Sequence, residues 1–148
     1  MGGSAFSACF AYATRAWSRW AFVVSPSSHS LSHEKSANLF LFLSAVRAAE
    51  EVYLVSPETA KLLALKDSIL KETPDAKVHL AARADKDVAE MDMIVTATSG
   101  AGKKVLDIMK VKPGCVITDV ARPLDLPPEE VAKRPDVLVV ESGEIQLP

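Results

Sequence analysis

Small polar residues recur in this sequence wherever an apolar run stops. Ser25, Ser27 and Ser28 follow the run Ala21–Val24. Ser56, Thr59 and Lys61 follow "EVYLV". Thr96, Thr98 and Ser99 close "DMIVTATS", and Ser142 and Gly143 close "DVLVVES". Hydroxyls at a strand end can hydrogen-bond a ribose or a carbonyl, and small side chains let a ligand approach the backbone. "CVITDVARP" adds Asp119, which leaves a buried strand just ahead of Arg122 and Pro123. A carboxylate there either satisfies loop amides or, with its loop, forms one wall of a ligand crevice.

Other chemistries find no complete set of residues. "SGAGKK" imitates a phosphate loop, but G-x-x-x-x-G-K-[ST] requires glycine where Ala97 stands and Ser or Thr where Lys104 stands. His29 and His33 are spaced i, i+4 as zinc ligands on a helix would be, yet no third ligand accompanies them. His79 alternates along a strand and reads as structural. No Ser-His-Asp or Cys-His arrangement can be assembled. Cys9 and Cys115 make no disulfide framework and read as two free thiols in a reducing compartment.

The elements that would carry these residues form a regular series beyond Ala45. Apolar runs at 51–56, 76–82, 92–99, 115–121 and 136–142 read as strands. Between them, Leu62, Leu63, Leu65, Ile69 and Leu70 recur at helical spacing, with Ser56 or Thr59 available as a cap. Residues 84–91 read as a short helix or turn. Residues 103–110 read as a short helix with Val105, Leu106, Ile108 and Met109 inward. "VKPG" (111–114) is a turn with Pro113 and Gly114 as breakers, and 127–134 is a helix with proline at its start and Arg134 at its end. Strands alternating with helices, each strand apolar on both sides, predict a doubly wound, mainly parallel α/β sheet of Rossmann-like type. In such sheets ligands lie outside the carboxyl ends of the strands, where the strand order reverses. That rule selects the polar clusters named above.

Composition sets outer bounds. The 148 residues suit one domain, 49% are hydrophobic and 24% charged, and the net charge is −2. Nothing there favours nucleic acid as a partner. No stretch is long and apolar enough to span a bilayer; "ANLFLFLSAV" (37–46) is too short. Residues 1–20 read as an irregular or targeting-like segment, and 21–148 as the Rossmann-like domain. The first 33 residues hold no acidic side chain and many Ser and Ala, which resembles an organellar transit peptide. An altered N-terminus accounts for the same composition. The expected location is cytoplasmic, with an organelle as the alternative.

"DMIVTATS", "VKPGCVITDVARPLDLPPEE" and "RPDVLVVESGEI" occur in that order. Together they resemble the nicotinamide-dinucleotide-binding domain shared by shikimate dehydrogenase-like and glutamyl-tRNA reductase-like proteins. The branch containing long-chain acyl-(acyl carrier protein) reductase is the most similar. In that group one strand ends in a Ser/Thr-Ala-Thr/Ser run, and a later one ends in Asp followed by a proline-containing loop. The resemblance covers Ala48 to Pro148. It implies a fold that binds NADP or NAD, and an oxidoreductase acting on a carbonyl or acyl-thioester-type substrate, small or carried on an acyl carrier. Ser56, Thr59 and Lys61 would lie near the adenine ribose. Thr96, Thr98 and Ser99 would line the pyrophosphate and nicotinamide side, and Ser142 and Gly143 would approach the nicotinamide. A homo-oligomer is compatible with this group.

Two departures qualify the resemblance. The family's glycine-rich turn belongs after the first strand, where this chain has "SPSSHS". Glycine there lets the backbone meet the pyrophosphate, so each replacement adds a Cβ, and Pro26 removes an amide donor. Ser25, Ser27 and Ser28 are the residues able to replace those contacts. In addition, no position matches the family's catalytic residues, so the domain is expected to be incomplete relative to the full-length family and not a complete enzyme alone. The alternative is a non-catalytic, truncated α/β module with a degenerate cofactor site. A methyltransferase-like nucleoside binder, resting on Glu58 after the second strand, ranks third.

Overall fold

A computed structural model describes residues 19–24, 45–84, 87–98, 105–121 and 123–141 of the chain. Six strands form one sheet: β1 (Arg19–Val24), β2 (Glu51–Val55), β3 (Lys77–Ala81), β4 (Met93–Ala97), β5 (Val116–Asp119) and β6 (Leu138–Glu141). Their order across the sheet is β3-β2-β1-β4-β5-β6, and every neighbouring pair is parallel. The chain therefore winds outward from β1 to β3, returns to the other side of β1, and winds outward again to β6. This is the doubly wound α/β architecture predicted from the alternation of strands and helices.

The strands read as continuous apolar runs because both faces of the sheet are covered, and alternate side chains point to opposite faces. On one face Phe22, Val52, Leu54, Val78 and Val95 pack with Ala45 of a helical turn at 45–48 and with Leu62 and Ile69 of α1 (Thr59–Glu72). On the other, Ala21, Val23, Val55, Ile94 and Ile117 pack with Val88, Met91, Leu106, Ile108, Val111 and Leu126 from the later crossovers. Each large apolar side chain so buried contributes roughly 2 kcal/mol. At the β6 edge this cover thins, and Leu138 and Val140 are exposed.

The connections depart from expectation in two places. Among its described residues, the β4–β5 crossover is not helical from 105 to 107 and makes a 3₁₀ turn at Ile108–Lys110. At three residues per turn, Ile108 and Val111 share the inward side and Met109 faces out, 57% exposed. Similarly, the helix expected over 127–134 is α2 (Pro128–Val131), finished by tighter i→i+3 bonds from Lys133 to Glu130 and from Arg134 to Val131. The Arg134 guanidinium donates to the carbonyls of Ile108 (2.7 Å) and Val111 (2.8 Å) and pairs with Asp136 at 2.7 Å. Arg134 thus ties the 3₁₀ turn to the segment that leads into β6.

Pro113 and Gly114 form the expected turn before β5. Gly114 has φ +79°, the left-handed conformation that glycine adopts freely. The Cys115 N–H closes the turn on the Lys112 carbonyl at 3.3 Å.

Candidate functional site

The strand order reverses between β1 and β4. There Val24 lies in register with Ala97, the last residue of each strand. The crevice outside this pair is where a doubly wound sheet receives its ligand. Around it, β2 ends at Val55 beside Ala81 of β3, and Thr96 of β4 lies beside Asp119 of β5.

The loop after β5 is organised by its own carboxylate. Asp119 is fully buried; Oδ1 accepts the Ala121 N–H at 3.1 Å and Oδ2 accepts the Leu126 N–H at 2.9 Å. Both ends of the loop are therefore anchored to the strand. Of the two roles open to Asp119, the satisfaction of loop amides is the one observed, and the loop it shapes stands at the carboxyl end of β5.

A second carboxylate, which the sequence reading did not single out, lies in the same loop. Asp125 Oδ2 accepts the Thr98 N–H at 3.1 Å, and Oδ1 accepts the Thr98 hydroxyl. Burial pushes the Asp125 carboxyl above its ordinary value, against the two hydrogen bonds from Thr98, and the Asp119 charge pushes the same way as burial. Its sequence signal was slight: an Asp set between Leu124 and Leu126, 27 residues from its partner.

The sequence-predicted residues divide by position. Thr96 is wholly buried, and among the described residues its hydroxyl has no hydrogen-bond partner. Thr98 is buried against Asp125. Ser56 is only 2% exposed, and its hydroxyl accepts the Glu58 N–H at 3.2 Å, so it braces the turn that leads into α1. Thr59 opens that helix and is exposed, while Glu58 takes the cap position without a capping hydrogen bond from its side chain. Lys61 pairs with Glu58 at 2.6 Å. The polar groups presented at the end of β2 are thus Glu58, Thr59 and Lys61. Ser25, Ser27, Ser28, Ser99, Ser142 and Gly143 lie outside the described residues, as do His29, His33 and Arg122.

The opposite end of the sheet carries a separate charged cleft of about 440 Å³, lined by Arg19, Glu50, Glu51, Glu90, Asp92 and Lys112 among others. Its cations are spent on its own acids. Arg19 donates to Glu90 and lies 3.4 Å from Glu51, and Lys112 pairs with Asp92. It sits at the amino ends of the strands, away from the reversal point.

His79 stacks on Tyr53, ring centroids 4.5 Å apart, on the β2–β3 side of the sheet. Among the described residues no group of His, Cys, Asp and Glu could hold a metal ion, and no helix is long and apolar enough to cross a membrane. No protein-family model matches the sequence, and no curated protein matches it.

Proposed function

We propose that this chain is the NAD(P)(H)-binding domain of an oxidoreductase that reduces a carbonyl or acyl-thioester-type substrate, as in the acyl-(acyl carrier protein) reductase-like branch it resembles. The observation that carries the reading is the strand order, with its reversal between Val24 and Ala97. The cofactor, when bound, supplies the hydride; the protein binds and orients it.

The residues at the crevice fit a dinucleotide with a free ribose diol. Glu58, at the carboxyl end of β2, offers a carboxylate that accepts ribose hydroxyls and repels a 2′-phosphate. Its partner Lys61 offsets part of that charge. The reading therefore favours NADH over NADPH. Thr59 is the hydroxyl beside them, whereas Ser56 and Thr96 are too deeply buried for direct contact. No residue of this sequence is assigned as a catalytic group.

One observation favours the second reading, a non-catalytic α/β module. The stretch after Val24 reads Ser-Pro-Ser-Ser, without the glycines that admit a pyrophosphate. A titration with NADH and NADPH, followed by nicotinamide fluorescence, separates the two. Saturable binding supports the oxidoreductase domain, and none at millimolar cofactor leaves the module.

A further inference from the structure

We propose that Asp125 is a positioning residue for the dinucleotide, fixing through Thr98 the backbone that leaves β4 at the reversal point. The inference rests on the cofactor-binding reading above.

Thr98 directly follows Ala97, the residue in register with Val24 where β1 and β4 end. Its amide and its hydroxyl both go to one carboxylate, that of Asp125. Asp125 is itself held in place. The next residue, Leu126, has its amide bound by Asp119 at 2.9 Å and its side chain in the core. Asp119 is in β5, and the Val120 N–H donates to the Thr96 carbonyl at 2.9 Å. A closed circuit of hydrogen bonds and chain links thus runs from Thr96 of β4 through Asp119, Leu126 and Asp125 back to Thr98, just past the end of β4.

Stability alone is a poor account of this circuit. A buried carboxylate costs desolvation, and a well-packed apolar pair of similar volume holds two segments together without that cost. What the carboxylate adds is direction. It fixes both donors of Thr98 and so holds the backbone directly after Ala97. A backbone held this way before the ligand arrives spares the entropy of ordering it on binding.

The test uses the full chain and the variants Thr98→Val, Thr98→Ser, Asp125→Ala and Gly114→Ala. NADH affinity is measured by nicotinamide fluorescence well below each melting temperature. Thr98→Val and Asp125→Ala should weaken NADH about tenfold, the worth of a lost directional hydrogen bond. Thr98→Ser, which keeps the hydroxyl, should restore the wild-type affinity. Gly114→Ala, in the turn before β5 and away from the crevice, should lower the melting temperature and leave NADH affinity unchanged. Where Asp125→Ala does not fold, Thr98→Val and Thr98→Ser decide. If wild type binds NADH and Thr98→Val binds it equally well, the positioning role is overturned. It is equally overturned if Thr98→Ser binds as weakly as Thr98→Val. A wild-type chain that binds no nicotinamide dinucleotide overturns the cofactor reading and this inference with it.

Discussion

Thr96 of β4 lies in register beside Asp119 of β5, both fully buried, and only one of them is satisfied. Asp119 gives both oxygens to loop amides, while among the described residues the Thr96 hydroxyl has no partner. An unpaired buried hydroxyl costs free energy, and a methyl group of the same shape does not. Thr96→Val should therefore raise stability by about 1 kcal/mol. Because Thr96 does not reach the crevice, NADH affinity should not change. Denaturant unfolding checks the first point and a cofactor titration the second. A loss of stability would mean that the hydroxyl is satisfied by an ordered water.

Asp125 makes stability depend on pH in a stated direction. Its folded-state pKa is raised above the ordinary 3.8, mainly by burial. The stability it contributes is present below pH 3.8 and is lost as pH rises through the folded value. Asparagine cannot ionise. It can accept the Thr98 N–H and donate to the hydroxyl turned about, so Asp125→Asn should escape this loss. Melting curves from acid to neutral pH should show Asp125→Asn gaining on wild type as pH rises. Parallel curves would contradict the assignment.

Cys115 immediately precedes β5 with no exposed surface, and burial pushes its thiol up to about 12. The thiolate is the reactive form, so at pH 8 this side chain should resist alkylation until the protein unfolds. Peptide mapping after iodoacetamide treatment should find Cys115 unmodified in the native protein and modified in denaturant. Rapid native labelling would place the thiol outside the core. The stability linked to this group is present below pH 9 and is lost as pH rises toward 12.

Gly114→Ala isolates backbone strain. A Cβ at this position would meet nothing within 4 Å, so only the φ of +79° opposes it. The expected cost is about 1–2 kcal/mol, read from denaturant unfolding. A neutral result would show that the turn shifts to another form.

The architecture was readable because its causes are local. Ile94 and Val95 point to opposite faces of the sheet and are both buried, so β4 appears in the sequence as an unbroken apolar run. Pro113-Gly114 announces its turn by the φ preferences of those two residues. The polar groups of the crevice were less legible because their roles are set by distant partners. Thr98 and Asp125 meet across 27 residues with no spacing rule to announce them. Ser56 was legible in part: its availability as a cap points to a local role at the helix start, and it braces the turn into α1 by accepting the Glu58 N–H, while its burial takes it away from the ribose position that the resemblance implies. Met109 was assigned inward from an α-helical period, and the 3₁₀ turn rotates it into solvent.

The central claim is that the crevice between β1 and β4 receives a nicotinamide dinucleotide. Titration of the purified chain with NADH and NADPH, monitored by nicotinamide fluorescence, tests it most directly. The account predicts saturable binding of NADH, weaker binding of NADPH because of the Glu58 carboxylate, and a smaller difference between them in Glu58→Gln. No binding of either nucleotide at millimolar concentration would contradict it.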